Sequence, residues 1–215
     1  MRTSRLHAAL AVILALALVV FTNPVPQTAT WALRDAQFYS LRANCPNKPW
    51  DGHYLVNLPS TNRLGLENFT VHPETPPLKF LPIRLRDDAN KYALRGDGVG
   101  DDLSRTPYLA AFTNNATRTV TLKIVYLPTP LRESFETQTD ACPEGYDCTA
   151  DQWMLDEPGN GIYQDFKFGG FKGRWEPFKD AGKEGWHVYW KGNAGIHHPL
   201  QFDLVPITKD VAHFD

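Results

Sequence analysis

The chain has 215 residues, with 22 Lys and Arg against 24 Asp and Glu for a formal charge of −2 at neutral pH. A mildly acidic balance makes the chain a poor candidate for nucleic-acid binding, which relies on neutralising phosphates. The length suits one domain with a sizeable core once an N-terminal segment is set aside.

That segment is residues 1–30, MRTSRLHAALAVILALALVVFTNPVPQTAT, in which Arg2 and Arg5 precede an unbroken apolar run over 8–21 and then a polar, proline-bearing stretch. This is the layout of a secretory signal peptide. At about 1.5 Å per residue in a helix the apolar run reaches roughly 20 Å, short of a hydrocarbon core about 30 Å thick, so cleavage is favoured over a permanent anchor. Residues 31–215 are then expected to form a single secreted domain, meeting membrane only through the signal segment if that stays uncleaved. Two sequons, Asn68-Phe-Thr70 and Asn115-Ala-Thr117, fit such a compartment and are the expected N-glycosylation sites.

Along the rest of the chain the dominant signal is period-2 alternation. Strands are expected over 37–43, 53–58, 68–72, 79–85, 108–113, 118–126, 161–168, 185–190 and 200–207, separated by turn pairs such as Asp97-Gly98 and Asn114-Asn115. The clearest is RTVTLKIVY, with Val120, Leu122, Ile124 and Tyr126 on one side and Thr119, Thr121, Lys123 and Val125 on the other, a half-buried antiparallel strand. No sustained helical periodicity follows the signal, so the fold class is all-β, an antiparallel β-sandwich. The interval 128–160, rich in prolines and acids, interrupts the strands. It is expected to be a long acidic loop excursion with one helical turn near Asp151-Gln-Trp-Met. Its acids lack the Asp-x-Asp-x-Asp-Gly spacing of a calcium loop.

The cysteines are Cys45, Cys142 and Cys148, an odd number. CPEGYDC brings Cys142 and Cys148 together across a short turn and makes them the expected disulfide, with Cys45 left over; a bridge from Cys45 across about a hundred residues is the alternative.

The stretch GWHVYWKGNAGIHHP, 185–199, concentrates three aromatics and three histidines. Alternation places Trp186, Val188 and Trp190 inward, and His187 and Tyr189 outward. Trp175, in GRWEPF, supplies a further ring beside Tyr189, so Trp175, His187 and Tyr189 form the candidate glycan-binding platform. His197 and His198 precede a proline, where an extended chain points their imidazoles apart, so no metal is expected. GDGVGDD, 96–102, follows no parallel strand and opens no helix, which argues against a phosphate cradle. The chain has no GxSxG elbow, no catalytic residue is assigned and no cofactor is implied.

FYSLRA, HYLV, YLAAFT, GWHVYW and HHPLQFDLV, in that order, resemble a group of fungal secreted proteins of unknown function. The resemblance implies a β-sandwich and an extracellular setting, and no activity; the acidic interval 128–160 departs from it. The expected function is a secreted, non-enzymatic, extracellular or cell-wall-associated protein whose partners are cell-wall polysaccharide or a surface protein. The alternative is a carbohydrate-active hydrolase whose carboxylate pair sequence does not locate.

Overall fold

The structure is a computed structural model that describes residues 37–58, 63–68, 75–85, 90–98, 105–128, 142–156, 158, 160–179, 185–192 and 195–207. The signal segment, most of the strand expected over 68–72, Thr70 of the first sequon and residues 129–141 of the acidic interval lie outside them.

The described residues form thirteen strands, all paired antiparallel, and no helix. They are β1 (Tyr39–Ala43), β2 (Leu55–Leu58), β3 (Arg63–Glu67), β4 (Phe80–Arg84), β5 (Lys91–Gly96), β6 (Arg105–Asn114), β7 (Thr119–Pro128), β8 (Tyr146–Thr149), β9 (Trp153–Met154), β10 (Lys167–Phe168), β11 (Arg174–Phe178), β12 (Gly185–Lys191) and β13 (Phe202–Pro206). The pairing runs β13-β1-β4-β5-β6-β7-β12-β3-β2, with β11 on β12, β8 on β6, and the β9–β10 pair against β5.

The all-β class therefore stands, but the strands form one hydrogen-bonded sheet curled into a half-barrel where the sequence pointed to a two-sheet sandwich. The cause is that several strands change partner midway. β6 pairs with β5 at Tyr108 and with β8 from Ala111 to Asn114. The far end of the path also returns to its start, because Arg42 bridges Tyr54 and the Ala43 amide donates to the His53 carbonyl at 2.8 Å. A strand shared between neighbours turns the sheet through a corner and lets it wrap a core.

That core is aromatic. Trp153, Trp175, Phe80, Phe166 and Phe202 are all essentially inaccessible. Burying an indole removes about 150–250 Å² from water, worth roughly 4–6 kcal/mol before entropy is counted. Trp153 overturns the helical turn expected near Asp151. Its Nε1–H donates to the Leu109 carbonyl at 2.9 Å, its ring packs on Phe166 with centroids 5.0 Å apart, and its backbone extends as β9. The described part of the acidic interval is thus not solvated loop throughout, since residues 142–156 add β8 and β9 to the sheet.

β6 is covered on both faces. Leu109 and Ala111 join the main core, while Tyr108, Ala110 and Phe112 join a second apolar cluster with Leu127 and Ala150. This explains why β6 reads as a nearly continuous apolar run instead of an alternating one.

Candidate functional site

The site develops from β12, the strand GWHVYWK. One edge of β12 pairs with β11 from His187 to Lys191, in the register Trp175↔Trp190, Glu176↔Tyr189 and Phe178↔His187. The other edge is divided: Gly185 to His187 pair with β3, whereas Tyr189 and Trp190 pair with β7. β3 and β7 leave the same edge of β12 and part at Val188. β3 reaches that point only because residue 65 is glycine; a Cβ there would collide with the Trp186 carbonyl and press on the Leu58 side chain.

The parting leaves a groove along the seam. Its first half is a cleft of about 240 Å³ with Arg63 on the β3 wall, Thr119, Thr121 and Lys123 on the β7 wall, and His187 and Tyr189 from β12. Tyr146, carried on β8, closes one end. A second cleft of about 490 Å³ lies on the core side of β7, lined by Tyr126, Ile124, Asp97 and Lys79, and it meets the first only at Leu64 and Lys123.

Tyr126 shows what the seam does to the alternation rule. Val120 and Leu122 are buried as their parity requires, but Tyr126, of the same parity, is 50% exposed. It lines the second cleft, where the core side of β7 opens to solvent.

Of the sequence-predicted platform, the groove brings together His187 and Tyr189 and leaves out Trp175. Trp175 is 1% exposed, and this is a correction with a definite cause. The register sets it opposite Trp190, so both indoles share the core face of the sheet. Its ring stacks on Phe166 at 5.5 Å and 2°, and its Nε1–H donates to the Phe166 carbonyl at 2.7 Å. His187 also departs from expectation: it keeps the outward parity but is buried, with Tyr189 6.4 Å away ring to ring and Phe178 opposite it on β11. Tyr189 is half-buried and meets the Phe178 ring edge-on at 5.5 Å. Val188 and Trp190 are buried as expected, whereas Trp186 is only partly so, its edge against Trp50 and His53.

Glu176, on the outward face of β11, is buried but not placed for catalysis. One carboxylate oxygen accepts from the amides of His197 and His198 at 2.8 and 3.2 Å, and the other accepts from Lys191 Nζ at 3.1 Å. Burial alone would raise this carboxyl. The two amides and the ammonium outweigh it and hold the group below its ordinary value. The HHP turn is therefore stapled to the sheet through its backbone, with both imidazoles exposed. Among the described residues no group of three His, Cys, Asp or Glu side chains is arranged to hold a metal ion.

A second buried carboxylate, Glu67 on β3, accepts from Thr75 Oγ1 at 2.8 Å through one oxygen; the other has no partner among the described residues. Its carbonyl accepts from His53 Nδ1 at 2.6 Å. Burial pushes His53 below its ordinary value, against the opposing pull of that hydrogen bond and of the Asp51 and Glu67 charges.

Cys142 and Cys148 form a disulfide across six residues, and Cys45 is the free cysteine. The bridge closes the turn that carries Tyr146 to the end of the groove, so it helps build the site. Asn115 is exposed in the turn between β6 and β7, and Asn68 follows β3 half-buried. Sequence reasoning missed Arg63, Lys123, Tyr146 and Tyr126. Each reads as an ordinary strand residue, and only the seam collects them. Compared with protein-family models, characterised proteins and solved structures, the chain matches none.

Proposed function

We propose that this is a secreted, non-enzymatic protein that acts outside the cell or at the cell wall by holding a glycan chain in the groove between β3 and β7. The observation that carries the reading is the groove's make-up. Tyr146 and Tyr189 line the first cleft together with Thr119, Thr121 and Asn114, whose hydroxyl and amide groups stand beside the rings, and the exposed Tyr126 lines the second. Sugar rings present apolar faces that stack on aromatic rings and hydroxyl rims that exchange hydrogen bonds with such groups.

Secretion is supported by the signal-like segment 1–30 and by the disulfide, which persists in oxidising compartments. Glycans on Asn68 and Asn115 belong to the same proposal. The hydrolase alternative requires two carboxyls about 5–9.5 Å apart flanking the substrate. Among the described residues the groove lining brings one, Asp97, which lies 3.7 Å from Lys79 Nζ.

Calorimetric titration of the secreted chain with oligosaccharides of chitin, β-glucan, mannan and pectin tests the reading. Binding to at least one of them is expected, weakened about tenfold for each 1.4 kcal/mol of stacking lost in Tyr126→Ala or Tyr189→Ala. Binding indifferent to both substitutions removes the groove as the site. Absence of binding to every glycan leaves a surface protein as the partner.

A further inference from the structure

The polar character of the groove is not neutral. Among the described residues its first half is lined by Arg63 on one wall and Lys123 on the other, with no Asp or Glu. Both are exposed, and neither has a carboxylate within ion-pair distance among the described residues. Lys123 Nζ instead sits 4.7 Å above the Phe112 ring, which fixes the ammonium at the groove edge while leaving its charge uncompensated. Other cations of the sheet are differently placed: Lys191 pairs with Glu176, Lys79 with Asp97 and Lys167 with Asp165. Two cations with no carboxylate partner among the described residues, lining one cleft on a chain whose net charge is negative, repel each other and gain jointly from an anion between them.

We infer that the groove selects acidic glycans, chains whose sugars carry carboxylate, with Arg63 and Lys123 reading the charge while the tyrosines stack on the rings. The inference rests on the glycan reading proposed above and names the class of sugar. Arg63 offers a planar fork that matches a carboxylate with two parallel hydrogen bonds, and Lys123 adds a point charge from the opposite wall. A neutral glycan would stack on the same rings and leave both cations unanswered. A small inorganic anion would meet the cations and leave the rings unused.

The test compares one backbone in two charge states: oligogalacturonate and its fully methyl-esterified form, titrated into the full secreted chain. The free acid is expected to bind about tenfold or more tightly than the ester, a difference of about 1.4 kcal/mol or more. Raising the ionic strength from about 0.05 to 0.5 M should weaken the acid and leave the ester unchanged. Arg63→Gln with Lys123→Gln should erase the preference while keeping ester binding and the melting temperature, whereas Lys48→Gln, an exposed cation outside the groove, should change nothing. Equal affinity for acid and ester, with Tyr126→Ala still weakening both, overturns the charge inference and leaves the glycan reading intact. Displacement of the acid by equimolar inorganic phosphate overturns it too, since the cleft would then read charge alone. If neither form binds and no neutral glycan does, the glycan reading falls and takes the inference with it.

Discussion

Replacing Trp175 separates a core residue from a recognition residue. In the structure its indole stacks on Phe166, meets Trp190 and Phe202 edge-on at 5.2 and 6.2 Å, and donates to the Phe166 carbonyl. Trp175→Ala removes the largest kind of side chain from a close-packed site, at about 3–5 kcal/mol, and strands a buried carbonyl for a further 1–3. The sum, about 4–8 kcal/mol, is comparable with the whole stability margin of a domain, about 5–15. With a urea m-value of about 2 kcal/mol/M, the midpoint should fall by roughly 2–4 M, read by near-UV circular dichroism. Trp175→Phe keeps an aromatic ring against Phe166 and loses the N–H, so its cost should be about 1–3 kcal/mol. A Trp175→Ala protein that unfolds within about 0.5 M of the parent, yet has lost glycan binding, would refute the register argument and put the ring back on the surface.

Glu176→Leu should be costlier than Glu176→Gln, by about 2 kcal/mol, because leucine orphans the amides of His197 and His198 while glutamine still accepts from them; urea midpoints at pH 7 decide this. Since the folded Glu176 carboxyl titrates below its ordinary 4.5, the stability it confers is present above that pH and is lost as pH falls below it; Glu176→Gln should flatten that acid limb. His53 is likewise depressed from 6.5, so the unfolded chain binds the extra proton first, and stability should decline as pH falls below about 6.5. His53→Gln, compared at pH 7 and 5.5, should remove part of that slope, and an unchanged slope would assign it to other groups. Cys142→Ser with Cys148→Ser should lower stability by about 2 kcal/mol, the loop-closure value for so short a ring, and should weaken glycan binding more than Tyr146→Ala alone. Binding equal to the parent's in the double variant would show that the bridge does not hold the end of the groove.

What the sequence determined by itself is what depends on neighbours a few residues apart. Alternation located β1, β2, β4, β6, β7, β12 and β13 near their observed places, because a pleated strand faces its side chains in opposite directions whatever lies around it. CPEGYDC paired its own cysteines because a six-residue turn brings them within reach. The tertiary structure alone decided what covers each face. Trp175 was legible as an aromatic in a strand, but its side followed from the register with Trp190, a partner fifteen positions away. β3, β5 and β11 are short and interrupted by glycine, proline or charge, and their strand character comes from long-range pairing. His187 and Tyr126 each kept the parity that alternation gave them and still ended with the opposite exposure, one covered by β11 and the other uncovered by the seam. Parity names two sides of a strand, and burial depends on which distant strand arrives at each; where β3 and β7 part at Val188, none arrives, and the groove is the consequence.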